Sequence, residues 1–173
     1  MDSFGAIRLL ARQKHQLART NISGDYDGES LLSEGCGLEN INLRKLDPDH
    51  PLLGGGAGAL SRATKAIYLS NSLAEEDAHF VGAHELGHFW IETDIESAIV
   101  PTDVTAGDPE RPTPLGVRRV EAYSPQELRE RHANAFAREF LLPREEARSR
   151  FIDQRQTAPE IARALRLPLN LQP

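Results

Sequence analysis

The stretch HFVGAHELGHFWIETD, residues 79–94, places His84 and His88 four positions apart with Glu85 directly after the first. On an α-helix, positions four apart differ by about 40° in direction and about 6 Å in height, so two imidazoles at that spacing can hold one metal ion. Glu85 lies about 100° round from His84 and about 60° from His88, off the ligand line but able to overhang an open coordination position. That is the place of a general base. Zinc carried by three protein ligands keeps a water whose pKa falls to about 7, and a carboxylate beside it can take that water's proton as it attacks a peptide carbonyl. Gly87 leaves room for another element to pack closely on the helix. Phe80, Ala83, Leu86, Trp90 and Ile91 supply an apolar face distinct from the His/Glu face, which favours a site over a polar stripe.

A third ligand has to come from elsewhere. Glu92 shares the face, but His84, His88 and Glu92 would span about 12 Å along one axis, too long for bonds near 2 Å to a single ion. The segment SPQELRERHANAFAREFLLP, residues 124–143, offers two candidates. Glu130, Ala133, Asn134, Ala137 and Leu141 fall on one side at i, i+3, i+4 spacing, and the two alanines permit a close approach to the motif helix. His132 lies about 200° away from Glu130, on the opposite flank of the stripe set by Phe136 and Phe140. Only one of the two can face the metal, and the spacing favours Glu130.

The elements that must carry these residues announce themselves unevenly. Phe4, Ile7, Leu10 and Leu17 recur at helical spacing and predict a first amphipathic helix, ended by the polar stretch NISGDYDGES. LENINLRKLDPD and AGALSRATKAIYLS read as short strands, separated by the glycine-rich HPLLGGGAGAL, a flexible turn with no phosphate-loop ending. Ser72 with Glu75, Ser124 with Glu127 and Pro125, and Thr157 with Glu160 are capping-box patterns that predict three later helices. Pro143 separates the second of these from REEARSRFIDQ. Residues 99–117, rich in Pro, Thr and Gly, read as a long loop. KAIYLSNS, just before the motif helix, is the expected sheet edge that would hold a substrate as an added strand.

Length and composition bound the rest. A chain of 173 residues suits one domain with a sizeable core, and 39% hydrophobic with 27% charged residues is ordinary for a globular protein. No apolar run approaches the ~18 residues of a membrane span, and the N-terminal segment lacks a signal-peptide cleavage pattern; a cytoplasmic address is expected. The net charge of -6 is concentrated in the centre of the chain, so unspecific nucleic-acid affinity is not the main expectation. Cys36 is the one cysteine and reads as a plain loop thiol. His79 points about 140° away from His84 and reads as a packed or surface residue, His15 and His50 as surface residues, and Tyr123 as a packing tyrosine with a lesser claim as an oxyanion donor. The arginines between 144 and 166 alternate with acids and read as a solvated surface.

AHELGHF followed by ERHANAFAREFLLP resembles the ImmA/IrrE family of zinc metallopeptidases, whose second signature has the form E-x-x-A-N/D-x-F-A-x-x-L-L-x-P. The resemblance implies an α+β, zincin-like metallopeptidase domain: a small, mostly antiparallel sheet packed on helices that include the HExxH helix. It implies zinc held by His84, His88 and Glu130, with Glu85 as catalytic base. His132 stands where the family often has an acidic residue. APEIARALRLPLN is similar to the helix-turn-helix-like segment that commonly follows the peptidase domain, so the expected division is a peptidase domain with its N-terminal helix over 1–155 and a helix-turn-helix-like C-terminal segment over 156–173, read as a candidate truncation from a longer protein. The implied activity is an endopeptidase, its partner a helix-turn-helix transcriptional repressor cut at a defined site in a stress response or mobile-element induction. Two rivals stand beside it: a metal-containing sensor or interaction domain of a larger protein, and a DNA-binding regulator using residues 157–170, which would show salt-dependent DNA affinity.

Overall fold

The computed structural model describes residues 3–91, 99–101 and 125–169. Helix α1 (Ser3–Thr20) turns Ile7, Ala11, His15 and Ala18 inward. That stripe is rotated from the one set by the large side chains: Leu17 is 54% exposed, and the small Ala11 and Ala18 face the core instead. Helix α1 lies on α4 (Pro125–Leu141), where small residues let the backbones come close, and Arg12 crosses to Glu139 at 3.2 Å. His15 is buried here, not at the surface as its isolation in sequence suggested, and its Nδ1–H donates to the Phe140 carbonyl at 2.6 Å.

A helix that the sequence pattern did not announce follows. Helix α2 (Gly28–Leu38) starts at a reciprocal cap, with the Ser30 amide donating to Asp27 Oδ1 and the Asp27 amide to Ser30 Oγ, each at 2.9 Å. Cys36 is therefore a buried helical residue rather than a loop thiol, and burial pushes its thiol up to about 12. That takes it out of contention as a nucleophile.

Four strands form a mixed sheet in the order β1-β3-β2-β4: β1 (Asn42–Leu46), β2 (Gly58–Ser61), β3 (Ala66–Ser70) and β4 (Ile99–Pro101). β1 runs parallel to β3, while β2 pairs antiparallel with both β3 and β4. The expected α+β class with a mostly antiparallel sheet holds. Strand β4 occupies the start of what the composition suggested was a long loop; residues 102–117 of that loop lie outside the described residues. KAIYLSNS forms β3 and its exit, and β3 is paired on both sides, so it offers no free edge for a substrate. Among the described residues the sheet edges are β1 and β4.

Alternation along β3 explains why all five of its residues are buried. Ile67 and Leu69 enter the main core, whereas Ala66 and Tyr68 pack with Leu53 in a second, smaller cluster. Leu53 ends a 3-10 turn (Pro51–Leu53) inside the glycine-rich stretch, His50 is its half-buried N-cap, and Gly54 closes it in the left-handed region. The stretch is thus a cover over the second face of the sheet, not a loose turn.

The first face carries α3 (Glu75–Ile91), which begins two residues later than a Ser72 cap would set it; the Ser72 hydroxyl pairs with Ser70 Oγ at 2.8 Å instead. Ser124 lies outside the described residues, although α4 does start at Pro125. The remaining helices, α5 (Arg144–Ile152) and α6 (Ala158–Leu165), complete the order, and α6 opens as expected with the Thr157 amide donating to Glu160 Oε2 at 2.7 Å. Ile161, Leu165 and Leu167 join the main core. His79 is packed, its Nδ1–H donating to the Arg166 carbonyl at 2.9 Å.

Candidate metal centre

Helix α3 is enveloped rather than half-buried. Every residue from Ala78 to His88 except Phe80 is buried, the helix being covered by the sheet, α2 and α4. Two glycines make that possible. A Cβ at Gly82 would stand 2.5 Å from Leu32 of α2, and one at Gly87 would stand 3.2 Å from the Ala133 Cα and carbonyl oxygen of α4. The α3–α4 contact is sealed below the site by Phe136, Phe140 and Trp90, with Phe136 and Phe140 stacked at 5.7 Å. The Trp90 indole N–H donates to Glu39 at 2.7 Å, and the Lys14 ammonium lies over its ring.

This close crossing brings Glu130 to the histidines. His84 Nε2 and His88 Nε2 are 2.9 Å apart, Glu130 Oε2 is 3.2 Å from His84 Nε2, and Glu130 Oε1 is 3.5 Å from His88 Nε2. Both imidazoles are buried, and the Glu130 side chain is 12% exposed. Two ligands bonded to one ion at about 2.0–2.1 Å at tetrahedral angles sit about 3.3 Å apart. The three separations bracket that value, so two imidazole nitrogens and one carboxylate fit a zinc-like ion. A second observation agrees. His84 Nδ1 is 2.8 Å from Asn134 Oδ1, an atom that can only accept, so Nδ1 carries the proton and Nε2 presents a lone pair.

The electrostatics point the same way. Burial lowers the His84 pKa from its ordinary value, more than Glu130 can restore, and keeps the imidazole neutral. Burial would raise the Glu130 carboxyl, yet the close approach of His84 and His88 outweighs it and holds the group well below the usual carboxylate range. With its proton at Nδ1, His84 has none at Nε2 to give Glu130, so two acceptors face each other at 3.2 Å, an arrangement that a metal ion between them would satisfy.

Of the residues singled out from sequence, His84, His88 and Glu130 come together and Glu85 lies fully buried in the same helix between the two histidines. His132 goes elsewhere. Its Nε2 meets Ser3 Oγ at 3.2 Å, and its ring stacks edge-on against Phe4 of α1. Glu92 and Tyr123 lie outside the described residues. Two residues of the centre were not foreseen in their roles. Asn134 was legible only as a neighbour of Glu130 on one helix face. Arg62, just beyond β2, donates to the His88 carbonyl at 2.5 Å and lies over the Phe89 ring, with no signal in sequence.

A second group, Glu29, Glu75 and His79, also lies within metal-binding reach. The Arg166 guanidinium already pairs with both of its carboxylates, and with Asp27 as well. No helix among the described residues is long and apolar enough to cross a membrane. No curated protein matches the chain. The family model for the IrrE N-terminal-like domain, Peptidase_M78, matches residues 36–171, a span that holds the four strands, both helices of the metal centre and α6.

Proposed function

We propose, from the premise that the chain belongs to the IrrE N-terminal-like family of metallopeptidases, that it is a zinc-dependent endopeptidase whose substrate is a helix-turn-helix transcriptional repressor. The observation that carries the reading is the convergence of His84, His88 and Glu130 beside a buried Glu85. Family membership makes the function metallopeptidase-type in general terms; the ion, the endopeptidase mode and the substrate are the proposal.

His84, His88 and Glu130 would hold the ion. Bound zinc supplies a Lewis acid and an acidified water. Glu85 takes a proton from the attacking water as its oxygen bonds to the peptide carbonyl carbon, and returns that proton to the leaving amine nitrogen as the C–N bond breaks. The His84 tautomer would leave Glu130 as the one charged group among the three ligands. The packed walls of α2, α4 and the sheet keep bulk water from the motif helix. Of the two sheet edges among the described residues, β4 lies next to β2, whose exit carries Arg62 to the His88 carbonyl. An extended substrate would add to that edge as a further strand.

Co-expression of the chain with candidate repressors, followed by mass spectrometry of the fragments, tests the substrate class. A single new pair of termini within one repressor is expected. Intact repressors throughout, in the presence of zinc-loaded protein, would count against it.

A further inference from the structure

We infer that Asn134 is the positioning residue of the metal centre: its side-chain oxygen holds His84 as the Nδ1–H tautomer and so turns the Nε2 lone pair onto the ion. The inference rests on the metallopeptidase reading and names the group that prepares its first ligand.

The geometry is specific. Asn134 Oδ1 lies 2.8 Å from His84 Nδ1, and both side chains are buried. On the far side of the same imidazole, Nε2 faces His88 Nε2 at 2.9 Å and Glu130 Oε2 at 3.2 Å. Glu130 and Asn134 are four apart on α4, so one helix face contributes a ligand to one ring nitrogen and an acceptor to the other. The crossing that allows this is the Gly87–Ala133 approach, where even a methyl group would press on the α4 backbone. Ring orientation, tautomer and helix spacing are therefore set by one contact surface. Turning the ring over would exchange its two nitrogens, aim the proton at the ion's position and take the acceptor away from its donor in a place where burial limits replacement by water.

The chemistry of the partner matters as much as its position. Ligating histidines commonly donate their second ring N–H to a carboxylate or carbonyl, and loss of such a partner weakens metal binding by about 10–100-fold. A carboxamide oxygen fixes the tautomer without adding negative charge to a buried centre that already holds Glu130 and Glu85. Aspartate at this position has the same acceptor geometry and is the conservative replacement.

Two measurements on the full chain test the inference. In the metal-free protein, nitrogen-15 correlation spectra of the histidine rings should show His84 protonated at Nδ1 in wild type and in Asn134→Asp, and a loss of that single tautomer in Asn134→Ala. In chelator competition, the zinc dissociation constant should rise about 10–100-fold in Asn134→Ala and return to within about tenfold of wild type in Asn134→Asp. A wild-type His84 protonated at Nε2, or an Asn134→Ala chain that binds zinc as tightly as wild type, overturns the positioning role. The wild-type spectrum decides even where the alanine variant does not fold. A wild-type chain that takes up no zinc at all would instead sink the metallopeptidase reading, which separates the two failures.

Discussion

The proposed function gives two carboxylates, Glu130 and Glu85, different duties because of where the helices hold them. Glu130 reaches both Nε2 atoms from α4; Glu85 belongs to the ligand helix itself and cannot join the ligand line. Glu130→Ala is therefore expected to lose zinc as purified, while His132→Ala, which only frees Ser3 and Phe4, retains about one zinc per chain; elemental analysis reads both. His15 gives a prediction about acid. Burial lowers its pKa from 6.5, with Arg19 adding to that effect and the Phe140 carbonyl, Glu146 and Glu139 only partly opposing it. The unfolded chain thus takes up this proton first. The contribution to stability is complete above about pH 6.5 and falls as pH drops below it, by at most about 1.4 kcal/mol per pH unit for one group. His15→Gln, which keeps a donor for the Phe140 carbonyl, should flatten urea-unfolding stability between pH 6.5 and 5 relative to wild type. An unchanged slope would remove His15 from the account. At this scale the sequence was informative wherever chemistry depends on spacing within one helix. It put His15 at the surface and was silent on Arg62, because their partners stand 125 and 26 positions away.

Helices α3 and α4 were legible because their signals are local: a motif, a stripe, Pro125 at a first turn. Helix α2 was not. Its sequence, GESLLSEGCGL, carries three glycines and two adjacent leucines in place of a periodic stripe, and its cap pairs Asp27 with Ser30 where an acid in third place would have been recognised. Its helicity comes from packing, with Leu31 and Leu32 driven against the core and Gly82 of α3 making space. Strand β4 was hidden for a related reason: it is three residues long, ends in proline and exists by pairing with β2. These contacts can be measured. Gly82→Ala places a methyl 2.5 Å from Leu32, an overpacking cost of about 1–3 kcal/mol that outweighs the ~1 kcal/mol gained in helix propensity. Combined with Leu32→Ala, itself expected to cost about 2–5 kcal/mol, the pair should be less destabilised than the sum of the singles by about 0.5–3 kcal/mol. Denaturant melts of the four chains give the cycle, and strict additivity would mean the two helices do not meet as described.

Across the whole molecule, one core joins the N-terminal helix, the sheet, the metal helix and residues as late as Leu167. Arg166 fastens that end with its guanidinium to Asp27, Glu29 and Glu75, and with its carbonyl to His79, five residues ahead of the first metal ligand. The metal centre is thus built into the same folding unit, and zinc should stabilise all of it. At free zinc one hundred times its dissociation constant the gain is about 2.7 kcal/mol, which a chelator reverses; for a chain of this size that is a rise of roughly 5–11 °C in Tm. The central claim is narrower than binding: it is that Glu85 does chemistry on an ion held by His84, His88 and Glu130. The direct measurement is the set of new protein termini, read by mass spectrometry, in cells expressing wild type or Glu85→Gln, with both proteins shown to carry zinc. The account predicts equal zinc and a new terminus in a helix-turn-helix repressor with wild type alone. The same new terminus at the same yield with both proteins, or none with either in the presence of the repressor, would contradict it.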